Sequence, residues 1–198
     1  MFRAFWLVIL LIASTYAWSA DEKGQFAIRN AGMASCQNFL DEKNKQSSKF
    51  NLYIGWIDGY LSAANQFTPS TFDLIPWGNT LFLATLLENH CKNSPDERFY
   101  LAINKLAAAM MPQRIKKQSK LIETSHKGKK SFIYQETLAR IQEHLKEKKL
   151  YGGSVDGSWG PQTRKAIEKF QKQNNIAVTG LPDQITMYLV FQALAKIK

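Results

Sequence analysis

Apolar positions recur at helical spacing through most of the chain. Phe26 to Lys43 reads as a first helix carrying Cys36 and Phe39. Phe50 to Phe67 sets Tyr53, Ile57, Tyr60, Leu61 and Ala64 three and four residues apart, and Asn79 to Cys91 does the same with Leu81, Leu83, Leu86 and Leu87. Ser94-Pro95-Asp96-Glu97 then predicts a capping box: serine as N-cap, proline at the first helical position and glutamate three residues after the cap. Phe99, Ile103, Leu106 and Met110 form the stripe of that fourth helix. No strand alternation interrupts residues 25–111, so this part predicts an all-α, four-helix unit. Gly55, Gly59 and Ala63 recur every four residues on the second helix, a spacing that lets another helix approach closely. Trp56, Asp58 and Tyr60 are candidates to line a cleft there, with core packing as the alternative.

The helical pattern stops at PQRIKKQSKLIETSHKGKK, residues 112–130, which read as a basic linker. It resumes from Gln135, where Leu138, Ile141, Leu145 and Leu150 face one side. The run YGGSVDGSWG, Tyr151–Gly160, ends that segment with four glycines and one aspartate. Pro161 then opens a helix to about Gln173 that buries Ala166, Ile167 and Phe170, proline being favoured at a first helical position because it has no amide hydrogen to leave unpaired. Val178-Thr179-Gly180 makes a tight connection, and Asp183 caps a final helix with Ile185, Tyr188, Leu189 and Leu194. That helix carries the further apolar residues Met187, Val190 and Phe191, either a docking face for the first unit or simply core.

Charge adds to this division. The chain has a formal net charge of +10, yet residues 21–111 are nearly balanced, at eight Lys and Arg against nine Asp and Glu. Residues 112–130 carry seven against one, and residues 131–198 ten against six. No recognised nucleic-acid motif accompanies the basic stretch, so nucleic acid is not expected; a merely solvated linker is one reading, and anionic envelope polymers or anionic lipid head groups are the expected contacts on the other. At the N-terminus, Arg3, the apolar run Phe5 to Ile12 and small residues around Ser14, Ala17, Ser19 and Ala20 predict a secretory signal peptide over residues 1–20, with an uncleaved anchor as the alternative. No later stretch is apolar for long enough to form a stable membrane span. In an exported protein the two cysteines, Cys36 and Cys91, are most simply one disulfide, stabilising by about 4 kcal/mol in the chain-entropy model. A catalytic thiol beside His90 is the alternative, although neighbours on a helix point about 100° apart.

The C-terminal part resembles the peptidoglycan-binding module often appended to bacterial cell-wall hydrolases. The residues carrying the likeness are Val155-Asp156-Gly157-Ser158-Trp159-Gly160-Pro161-Gln162-Thr163, Ala166-Ile167-Glu168-Lys169-Phe170-Gln171, Thr179-Gly180 and Asp183-Gln184-Ile185-Thr186. Over about sixty residues they keep the family's order and spacing. The resemblance implies a three-helix bundle over residues 131–198 that binds glycan or stem peptide without cleaving it. Trp159 is the foremost contact candidate, because a flat ring can stack on a sugar face or an acyl group. Gln162, Thr163, Arg164 and Gln171 are candidate hydrogen-bonding neighbours, Arg164 with a stem-peptide carboxylate as its partner. Asp156, Gly157 and Gly160 complete the expected peptidoglycan-binding set, with loop geometry as their alternative role. More weakly, Gly55-Trp56-Ile57-Asp58-Gly59-Tyr60 between Cys36 and Cys91 resembles the small helical periplasmic family of acid-stress chaperones and type VI immunity proteins. No functional residue transfers from that likeness.

Catalytic constellations are sparse. His90, His126 and His144 are scattered and give no zinc-site spacing, and phosphate-loop and dinucleotide-binding motifs are absent, so neither cofactor nor metal is expected. Glu88 is the one glutamate in an apolar helical setting, and nothing around it suggests a substrate groove. The sequence therefore predicts an exported, periplasmic, non-catalytic peptidoglycan-binding protein. Its all-α fold comprises a disulfide-linked helical domain, 21–111, a linker, 112–130, and the binding bundle, 131–198. Residues 21–111 are expected to contact an envelope protein. The alternatives are an immunity or chaperone-like protein localised by its wall module, and a cryptic cell-wall hydrolase.

Overall fold

The computed structural model describes residues 20–196; the expected signal peptide, Ala20 apart, lies outside the described residues. The fold is mostly helical. Four helices, α1 (Cys36–Asn44), α2 (Phe50–Phe67), α3 (Thr80–Asn93) and α4 (Phe99–Met110), precede a two-stranded antiparallel hairpin, β1 (Leu121–His126) and β2 (Lys129–Tyr134). Three further helices follow: α5 (Gln135–Glu147), α6 (Pro161–Gln173) and α7 (Gln184–Lys196).

An aromatic nest centres the first unit. Phe39 meets Phe99 at 4.7 Å and Tyr53 at 5.4 Å between ring centroids, and Ile57, Leu83, Leu87 and Ile103 close around them. Cys36 and Cys91 are joined by a disulfide that ties α1 to α3, so neither thiol is free to act as a nucleophile. Asn79 starts α3 by accepting the amide of Phe82 at 2.9 Å.

Three local expectations need correction. The first helix begins at Cys36 rather than Phe26, because residues 26–34 wrap over α2 instead. A Cβ on Gly32 would sit 2.2 Å from the Trp56 ring, and the Trp56 indole donates to the Arg29 carbonyl at 3.0 Å. The capping box at Ser94 does not form. Helix α4 starts at Phe99, and the stretch before it runs alongside the start of α1, where the amides of Cys36 and Gln37 donate to the carbonyls of Glu97 and Pro95 at 2.7 and 2.8 Å. Those amides have no partner within α1, so pairing with them outcompetes an earlier start for α4. Finally, among the described residues no helix fills the small-residue face of α2: Gly55, Gly59 and Ala63 are exposed there, and a Cβ on either glycine meets none of the described atoms.

The stretch expected as a linker is held in place. Ile115 is fully buried and pairs with Asp73, its amide donating to the Asp73 carbonyl at 2.8 Å. The hairpin turn, Lys127-Gly128, has φ of 49° and 74°, the positive values that a tight two-residue connection demands.

Helix α7 joins the two units. Phe191 stacks on Trp77 with centroids 5.6 Å apart and planes 4° from parallel. Buried Gln113 bridges the same contact, accepting from the Trp77 indole at 2.9 Å and donating to the Phe191 carbonyl at 2.8 Å. Gln184 adds a bond to the Trp77 carbonyl at 3.0 Å. Of the apolar residues on α7, Val190 and Phe191 are therefore buried, whereas Ile185, expected to face inward, is 48% exposed.

Candidate functional site

The glycine loop between α5 and α6 is built around a residue that sequence reasoning missed. Gln142, fully buried on α5, accepts the amides of Asp156 and Gly157 at 3.0 and 2.8 Å. Its own amide lies 3.0 Å from the Ser158 carbonyl and 3.1 Å from the Thr163 hydroxyl. The loop is thereby fastened to the helix behind it. Gly157 has φ of 68°, and a Cβ there would lie 2.3 Å from the Gln135 carbonyl oxygen, so the backbone passes where only glycine fits.

The same device recurs one helix later. Gln171, also fully buried, accepts the Gly180 amide at 2.8 Å and donates to the Thr186 hydroxyl at 2.9 Å and the Leu181 carbonyl at 3.0 Å. Gly180 has φ of 69°. The pairs Ile141-Gln142 and Phe170-Gln171, then Val155-x-Gly157 with Thr163 and Val178-x-Gly180 with Thr186, form an internal repeat. That repeat was the available signal for Gln142: an apolar-Gln pair upstream of a V-x-G segment, with threonine six residues after the glycine.

The expected contact residues separate by exposure. Thr163 and Gln171 are buried and spend their polar atoms on the two loops, and Gly157 is buried beneath the first. Asp156, Trp159, Gly160, Gln162 and Arg164 reach the surface in full or in part. Asp156 is solvated, and the Ser158 amide, 2.8 Å from its carboxylate, holds its pKa below the ordinary value, with Gln142 assisting. Gly160 has φ of −166°, an extended backbone open to any residue. Trp159 is half-buried, one part of its ring against the core and the rest in solvent. Arg164 already donates to Glu168 at 2.7 Å, and His126 of the hairpin approaches the same carboxylate at 3.5 Å.

The other histidines and the glutamate singled out from the sequence are paired or buried. His90 pairs with Glu97, which Lys105 also contacts. Hydrogen bonds from Lys43 and Lys92 hold Glu88 below its usual pKa, the opposite of what a proton-donating acid requires. His144 is 2% exposed against Phe170, and burial lowers its pKa. No cluster of three His, Cys, Asp or Glu suited to a metal occurs among the described residues, and none of their helices is long and apolar enough to cross a membrane.

Residues 135–189 match the family described as "Putative peptidoglycan binding domain". This peptidoglycan-binding domain opens at the first residue of α5, ends within α7 and contains both glutamines and both loops. No curated protein and no solved structure matches the chain.

Proposed function

We propose that this chain is an exported, non-catalytic peptidoglycan-binding protein of the periplasm, whose C-terminal domain anchors an N-terminal helical interaction unit to the cell wall. One observation carries the reading. The Val155–Thr163 loop, inside the segment that matches the peptidoglycan-binding family, is pinned by Gln142, and Asp156, Trp159 and Gln162 of this stretch each reach the surface. A rigid loop loses little conformational entropy when a ligand docks, which favours recognition of a repetitive polymer. Trp159 supplies the apolar face, and Asp156 and Gln162 supply polar edges. Export agrees with the disulfide and with the leader-like sequence of residues 1–20. The division into residues 21–111, 112–130 and 131–198 belongs to the same proposal, with an envelope protein as partner of the first part.

Co-sedimentation of the chain from residue 21 onward with purified sacculi tests the reading. The protein is expected in the pellet, and Trp159→Ala is expected to weaken retention about tenfold, as loss of a stacking ring would. A supernatant-only wild type would reject wall binding. Clearing of a sacculus-containing gel by the renatured wild type would reject the non-catalytic part.

A further inference from the structure

Beside the glycine loop lies a cleft of about 330 Å³ that the peptidoglycan-binding domain does not form alone. One wall is Gln135, Ala139, Val155 and Asp156 from the domain; the other is Gln118, Ser119 and Lys120 from the basic stretch before the hairpin. We infer that residues 113–120 act as a strap that completes the ligand site, and that Lys120, which lines the cleft, recognises a free carboxylate of the stem peptide, with Lys116 and Lys117 on the same strap adding positive charge. This rests on the wall-binding reading above and names the chemistry it would use.

The strap is a fixed wall. Ile115 anchors it to the first unit, where the amides of Phe72 and Asp73 donate to the Ile115 carbonyl at 2.7 and 3.2 Å. Arg140 of α5 holds it from the other side, bonding to the carbonyls of Gln113 and, at 3.2 Å, Arg114. Its far end joins the start of α5: the Gln135 amide donates to the Lys120 carbonyl at 2.8 Å, and the Glu136 amide to the Ser119 hydroxyl at 3.0 Å. Both ends are fixed, so the side chains between them are presented in a set position relative to Asp156.

The charge of the cleft follows from which groups are already engaged. Glu136 lines it but is paired with Arg140. Asp156 lines it but accepts the Ser158 amide and faces Gln142. Lys116, Lys117 and Lys120 are exposed, and among the described residues they enter no ion pair. Arg164, the basic residue inside the domain's own loop region, is committed to Glu168. Lys149 and Lys165 near the loop are exposed and outside these ion pairs too, but the basic residue that lines the cleft is Lys120, on the strap. A carboxylate fits it better than a neutral sugar does, because an ammonium gains most from a full negative charge.

The test uses the chain from residue 21 onward, wild type and Lys116→Gln/Lys117→Gln/Lys120→Gln, with purified soluble muropeptides. Three ligands are compared: peptide with free carboxylates, the same peptide with its carboxylates methyl-esterified, and glycan stripped of peptide. The wild type is expected to bind the free-carboxylate form about tenfold more tightly than the ester, with the preference falling as salt rises, and the triple variant to lose it. All three substitutions are at exposed positions, and unchanged thermal unfolding would verify the fold. A triple variant that keeps the preference overturns the role of the strap while leaving wall binding intact. A wild type indifferent to esterification overturns carboxylate recognition. A wild type that binds none of the three ligands, nor sacculi, removes the underlying reading together with this one.

Discussion

His144 shows how a titratable residue is absorbed by packing. It is enclosed among α5 and α6 side chains, its Nδ1 lacks a hydrogen-bond partner, and burial together with nearby Lys148 keeps its pKa below the ordinary 6.5. The folded state therefore binds the proton less readily than the unfolded chain. Its contribution to stability is complete above the unfolded value of about 6.5 and is lost as the pH falls below it. Urea midpoints are expected to drop between neutral pH and pH 5 for the wild type and to change less for His144→Leu; equal slopes would refute this assignment. Gln142 is the opposite case. A lone glutamine on a helix reads as a solvated polar residue, and its role depends on a loop fourteen residues away meeting it in space. The need for glycine at position 157 was legible because backbone chirality is a local property, whereas burial of Thr163 and Gln171 is a property of the assembled bundle.

Among the elements, helices were legible wherever their signals were internal. The limits of α2 and α6 and the Asp183 cap of α7 follow from periodicity, proline and a side-chain acceptor, the Thr186 amide donating to Asp183 at 2.9 Å. The misplaced start of α4 and the unexpected hairpin share another cause. In each, the deciding bonds come from outside the segment itself: from the start of α1 for residues 94–98, and from the adjacent strand 129–134 for residues 121–126, where His126 also approaches Glu168. The loop offers a sharp comparison between two glycines. Gly157→Ala places a methyl against the Gln135 carbonyl at positive φ and is expected to destabilise by about 2 kcal/mol or more. Gly160→Ala meets neither obstacle and is expected to change stability by less than about 0.5 kcal/mol. Chemical denaturation of the pair measures the difference, and equal losses would contradict the geometry.

At the scale of the whole molecule, the strap and α7 make the wall-binding domain continuous with the helical unit. The Trp77–Phe191 stack and the Gln113 bridge are buried between them, so the two parts are expected to unfold in one calorimetric transition. Trp77→Ala should cost about 3–5 kcal/mol and separate that transition into two; a single unshifted transition would show that the contact does not couple them. The apolar residues of α7 offered a docking face in the sequence, with core as the alternative, but nothing local marks Gln113 as buried or Ile115 as paired with Asp73. What the protein does depends on whether the pinned loop meets cell-wall material. An NMR titration of the chain from residue 21 onward with soluble muropeptides is the most direct measurement. The account predicts saturable shifts at the amides of residues 155–164 and at the Trp159 indole. Shifts that spare this loop and fall on α1–α4, or no shifts at all, would contradict it.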